Sequence, residues 1–181
     1  MDDRTITTGK VRLSYAHLFV PAAAPGGDDK YYSVSVIIPK SDKQTLAKIN
    51  AAVEHAKEAG KSSKWGGKIP SGQTGLKLPL RDGDIDKPED LAYSGSYFFS
   101  AKSNKRPAIV DSSRNEIIDP EEVYSGCYGR VNVTFYPYNF NGSKGVGVWL
   151  NAVQKTADGD ALGGAGVSVE EAFGDGSGMF D

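Results

Sequence analysis

The chain has 181 residues, 39% hydrophobic and 10% aromatic, which suits one domain able to bury a substantial core. Its net charge of −2 conceals a division: residues 1–155 hold all 21 Lys and Arg against 17 Asp and Glu, giving +4, while residues 156–181 hold six acids and no base, giving −6. No apolar run approaches the roughly 20 residues that span a bilayer, Met1-Asp2-Asp3-Arg4 is no signal peptide, and a lone Cys127 excludes an internal disulfide and fits a reducing cytoplasm.

In chain order, residues 11–20 alternate as a strand and are followed by an Ala/Pro/Gly loop from Pro21 to Asp29. Residues 31–38 form a second strand with Tyr32, Val34, Val36 and Ile38 on one face, closed by Pro39. Ser41, with Gln44 three residues on, reads as a capping box. Leu46, Ile49, Val53 and Ala56 recur at helical spacing, and Gly60 suits the position just past the end, so one main helix is predicted over about 41–59. Residues 61–77 are a basic Gly/Ser-rich loop around Trp65, and 81–90 an acidic irregular stretch. Strands resume at 95–102, 106–110, 127–138 and 145–153. Short strands with turn signals and a single helix predict a mainly β domain, a partly closed barrel over residues 1–155. Low hydrophobicity and abundant Gly predict a disordered acidic tail over 156–181.

The richest chemistry lies in residues 128–138. At period two, Val131, Val133 and Phe135 face inward, leaving Tyr128, Arg130, Asn132, Thr134, Tyr136 and Tyr138 on the other face. Tyrosines beside arginine offer stacking surfaces and a cation for phosphate, the two needs of single-stranded nucleic acid. In residues 145–153, Val146, Val148, Leu150 and Ala152 alternate inward, so Trp149 faces out between Gly147 and Asn151, where small neighbours leave room for a base. Lys64-Trp65-Gly66-Gly67-Lys68 puts an aromatic between lysines, and Lys102, Lys105 and Arg106 gather at a strand connection. Phosphate contacts of this kind sum along a backbone. The plainer readings are a solvated sheet face, ordinary surface charge, and a tryptophan covering a small core.

Several motifs fail on spacing. Asp82-Gly83-Asp84-Ile85-Asp86 begins like an EF-hand, but Lys87 stands where Gly is required and Tyr93 where Glu should be. Gly60-Lys61-Ser62 ends like a phosphate loop with His55 in place of its first glycine. His17, His55 and Cys127 are too few and too scattered for zinc. No catalytic constellation, metal site or cofactor is expected.

Blocks at Val11–Phe19, Lys30–Asp42, Leu76–Asp84, Arg106–Asp111, Tyr124–Arg130, Asn132–Tyr136 and Lys144–Lys155 resemble the phage-encoded single-stranded-DNA-binding proteins of OB-fold type, in order and across most of residues 10–155. The resemblance implies an OB-fold barrel that binds ssDNA with little sequence preference in phage replication or recombination, in the host cytoplasm. The contact residues are not carried over from it: Tyr128, Arg130, Tyr136, Tyr138, Trp149, Lys64, Trp65, Lys68, Lys102, Lys105 and Arg106 rest on alternation and chemistry in this chain.

The tail is expected to modulate DNA access and to recruit replication or recombination proteins through Phe173, Met179, Phe180 and Asp181. The competing reading is a structural β-barrel or sandwich subunit of a phage particle, its aromatic face packed on another subunit. Oligomeric state is left open.

Overall fold

The computed structural model describes residues 2–23, 26–71 and 75–162. Strands β1 (Thr5–Thr7), β2 (Val11–Ala23) and β3 (Lys30–Pro39) precede helix α1 (Lys43–Ser63). Then come β4 (Arg81–Asp82), a single turn α2 (Gly83–Asp86), β5 (Ser96–Ser103), β6 (Ala108–Val110), β7 (Tyr128–Phe140) and β8 (Ser143–Ala157). No helix among the described residues is long and apolar enough to cross a membrane.

Five strands close a barrel in the order β2-β3-β5-β8-β7 and back to β2. Among these five strands every pairing is antiparallel except β5 with β8, which run parallel through Lys102 and Trp149. The closure of β2 on β7 is short, pairing Val11 with Gly129 and Arg12 with Tyr128, and Leu13 continues it through backbone hydrogen bonds with Cys127 and Gly126. This is the partly closed OB-fold barrel that the sequence predicts, with β3 and β5 as its second and third strands.

Alternation builds the interior. Val34, Val36 and Ile38 face Phe99 and Ala101 of the neighbouring strand, and Val131, Val133 and Phe135 meet Val146, Val148 and Leu150. One inward position differs from the expectation. Asn132 pairs with Ala152 while Val133 pairs with Leu150, so Asn151 is an extra residue in β8. That bulge turns Ala152 beside Asn132 and brings Val153 inside.

The helix is longer than predicted and differently capped. Asp42, not Ser41, accepts from the Thr45 N–H at 3.1 Å, and the helix runs through Gly60 to Ser63. Gly60 does not end it. A Cβ there would lie 2.5 Å from Pro137 and 2.9 Å from the Trp65 ring, so the glycine serves close helix–strand approach.

The fold also extends beyond residue 155, where the tail was expected to start. Strand β8 continues to Ala157, and the Tyr124 hydroxyl donates to Asp158 Oδ1 at 3.1 Å. Arg12 donates to the Asp160 carbonyl at 2.7 Å, and the Leu162 N–H to the Ser125 carbonyl at 2.9 Å. Residues 156–162 are therefore part of the domain. Phe173, Met179, Phe180 and Asp181 lie outside the described residues.

Candidate nucleic-acid interface

The outward face of the β7–β8 ribbon carries the candidate site. The ribbon ends in a two-residue turn, Asn141 and Gly142, whose φ of 50° and 86° suit a type I′ hairpin. In register, Tyr136 lies opposite Gly147 and Tyr138 opposite Gly145. A Cβ on Gly147 would collide with the Tyr136 ring, so these glycines let both rings lie across the neighbouring strand. The room beside Trp149 is thus filled by tyrosine: Tyr136 stacks on the indole with centroids 4.8 Å apart and planes 21° from parallel. Tyr138 follows at 6.3 Å. Burial, and then the nearby hydroxyls of Tyr138 and Tyr31, push the Tyr136 phenol above its ordinary pKa, so it is neutral at physiological pH.

The parallel pairing of β5 with β8 supplies the cation. Lys102 Nζ sits 5.8 Å from the Trp149 ring and 4.5 Å from that of Tyr31 on β3. His17, Ser33, Lys102, Trp149, Thr134 and Thr5 form one register row across β2, β3, β5, β8, β7 and β1. That row crosses the second and third barrel strands, where OB-folds hold oligonucleotides.

Of the other predicted contacts, Lys105 and Arg106 are exposed in the β5–β6 turn, Arg106 lying 4.8 Å over the Phe19 ring. Lys64 is exposed at the end of α1, and its carbonyl accepts from Asn139 Nδ2 near the ribbon tip. Lys68 is exposed. Arg130 shares the ribbon face with Tyr136 but lies six residues away, roughly 20 Å at strand rise. Its Nε donates to the Thr8 carbonyl at 3.1 Å. Between them stretches a hydrogen-bonded belt in which Asn151 donates to both Asn132 and Thr134, Asn132 donates to Thr7, and the Thr5 and Thr134 hydroxyls meet. Tyr128 is farther still, flanked by Lys10 at 4.9 Å and Arg12 at 5.5 Å.

Trp65 differs from the expectation. It is not an exposed loop aromatic but 6% exposed, in the main core, with its Nε1–H donated to the Tyr138 carbonyl at 3.0 Å. The helix carries it back over the side-chain-free Gly60, so it supports the Tyr138 strand from behind.

Tyr31, His17 and Phe140 were not anticipated. Phe140 is 73% exposed at the ribbon tip and continues the 136–138 alternation. The Asn141-Gly142 turn was its sequence signal, since it extends the strand to residue 140. Tyr31 and His17 had none, because which strands lie beside β5 is not written locally.

Over residues 4–179 the chain matches the family model described as Enterobacter phage Enc34, ssDNA-binding protein. It is 35% identical over 177 residues to protein p50 of Acyrthosiphon pisum secondary endosymbiont phage 1, covering 94% of this chain and 92% of that one. Among solved structures, it resembles the single-stranded DNA-binding protein of bacteriophage Enc34 in complex with ssDNA: TM-score 0.76, 26% identity, 90% of this chain and 91% of that one. The gp2.5 single-stranded DNA-binding protein of bacteriophage T7 shares the fold, with a TM-score of 0.61 at 19% identity over 89% and 90% of the two chains.

Proposed function

The chain belongs to the Enterobacter phage Enc34 ssDNA-binding protein family, and from that premise we propose that it binds single-stranded DNA with little sequence preference to protect and organise it during phage replication or recombination. The observation that carries the reading is the Tyr136–Trp149 stack with Lys102 beside it, on the barrel face where OB-folds hold oligonucleotides. Any base presents a π-face to such rings, so stacking discriminates little among sequences. Tyr138, Tyr31 and Phe140 extend the stacking surface. Lys102, Lys105, Arg106, Lys64 and Lys68 take the phosphates. Arg130 and Tyr128 serve a strand long enough to cross the Asn132–Thr134 belt. The chemistry is binding without bond making or breaking.

The acidic segment modulates access. With 156–162 counted in the fold, residues 1–162 carry +2 and residues 163–181 carry −4, and opposite charges on one chain compete with DNA phosphates for the same cations. In this reading, displaced Phe173, Met179 and Phe180 recruit replication or recombination proteins.

Fluorescence anisotropy of labelled dT30, with duplex and RNA counterparts across a salt series, tests the main reading. Tight, salt-sensitive binding to dT30 and weak duplex binding are expected; silence at low salt would turn the aromatic face back into a subunit contact. Truncation belongs after Leu162, not after Lys155, and is expected to tighten binding most at low salt. Unchanged affinity there would remove the autoinhibitory role.

A further inference from the structure

Tyr15 has a backbone conformation that a bulky side chain rarely adopts, with φ of 47°. It lies in a bulge of β2, where register with β3 shifts between Ser14 and His17. The bulge is held from outside the barrel pair, because the Ala16 N–H is donated to Ser125 Oγ at 3.0 Å. A bulge re-aims a side chain, and this one leaves the Tyr15 ring 51% exposed. The ring faces a recess of about 820 Å³ lined by Ser14, Lys87, Leu91, Ser125 and Leu162. Lys87 Nζ stands 5.2 Å from the centroid of Tyr15 and also of Tyr93, a cation–π clamp that orients the tyrosine. Leu91, 88% exposed, offers an apolar wall.

The recess and the proposed DNA face meet β2 at neighbouring residues. Tyr15 lies between Ser14, paired with Ser35, and His17, whose register row runs through Ser33 and Lys102 to Trp149. Between the two ends β3 and β5 carry small side chains, Ser33, Ser35 and Ser100, with the Tyr93 hydroxyl donating to the buried Ser35 at 3.1 Å. Three strand spacings, roughly 14 Å, separate Trp149 from His17, two residues along β2 from Tyr15.

We propose that Tyr15 is a second base-stacking station for the same strand of DNA, a nucleobase entering the recess while its phosphate stays outside. The inference rests on the ssDNA-binding reading above. The charges of the recess decide which part of the nucleotide enters. Asp86, Glu89 and Asp90 line it beside the single Lys87, an arrangement that repels phosphate and tolerates a neutral ring.

The test uses the full chain and dT30 with 5-iodo-deoxyuridine at successive positions, photocrosslinked and mapped by mass spectrometry, together with Tyr15→Gly and Tyr15→Phe. Crosslinks are expected at Tyr15 as well as at Trp149 or Tyr136. Glycine relieves the left-handed strain, so Tyr15→Gly is expected to hold or raise the Tm while weakening dT30 binding roughly 5- to 150-fold, the range for one lost base stack. Its salt slope is expected to stay that of the wild type, because no phosphate contact is removed. Tyr15→Phe keeps the ring and is expected to bind as wild type does. Crosslinks at Trp149 or Tyr136 with none at Tyr15, or wild-type affinity in Tyr15→Gly, overturn this station and leave the main reading standing. A wild-type protein that does not bind dT30 overturns both.

Discussion

The two tryptophans of this chain sit in similar local sequence and reach opposite environments. Trp65 is followed by two glycines between lysines, and Trp149 follows Gly145-Val146-Gly147-Val148. Trp65 ends buried behind the ribbon, its indole N–H satisfied by the Tyr138 carbonyl, whereas Trp149 lies on the front with its ring against Tyr136. What separates them is the use each makes of its glycines. Gly60, five residues upstream, opens a slot into which Trp65 folds; Gly147 removes a side chain from the surface so that a ring from the next strand lies down beside Trp149. Composition near an aromatic therefore does not tell whether it ends in the core or on the outer face. The register of the strand opposite does.

The sharpest way to break this contrast is Trp65→Ala. Loss of a buried tryptophan and its hydrogen bond is expected to destabilise the domain by about 3–5 kcal/mol, read as a shift of the urea midpoint. Trp149→Ala is expected to cost about 0.5–1.5 kcal/mol of stability, the size of one aromatic pair. Its main effect is expected on dT30 affinity, a loss of roughly 5- to 150-fold for one stack. Equal destabilisation by the two variants would erase the distinction between a packing tryptophan and the one proposed to bind DNA.

Gly147→Ala asks whether the stack is prepared by the glycine. The new methyl displaces Tyr136 from Trp149 without removing either ring. A folded protein with weaker dT30 binding than wild type, by less than Trp149→Ala, is expected. Wild-type affinity would mean that the rings act singly and that their stacking in the free protein is incidental.

Much of this arrangement was legible in the sequence where the information is local. The period-two pattern of residues 128–138 placed Val131, Val133 and Phe135 inside, and Tyr136 and Tyr138 outside, where they are found. Helix α1 followed from the spacing of Leu46, Ile49, Val53 and Ala56. The misses share a cause: each depends on a partner distant in the chain. Gly60 mimicked a helix stop because Pro137, which it approaches, is 77 residues away. Lys102 met Tyr31 and Trp149 only through the pairings of β5 with β3 and β8. The bulges at Tyr15 and Asn151 each fall inside a stretch that, read alone, alternates well enough to pass as a regular strand.

The smallest expected effect is also the one that separates the two kinds of contact on the front face. Lys102 lies over Tyr31 and Trp149, so its ammonium has two roles open to it: steadying the rings, or neutralising a phosphate of the strand stacked on them. The roles differ in salt dependence. A phosphate contact on single-stranded nucleic acid contributes about 0.7 to the slope of log affinity against log salt, through the counterion released, whereas a cation held over rings within the protein releases none on binding. Lys102→Ala is therefore expected to lower the magnitude of the dT30 slope by about 0.7, with Trp149→Ala leaving it unchanged. If Lys102→Ala weakens binding at constant slope, the lysine acts through the aromatic rings, and the phosphates are carried by Lys105, Arg106 and the lysines beyond α1.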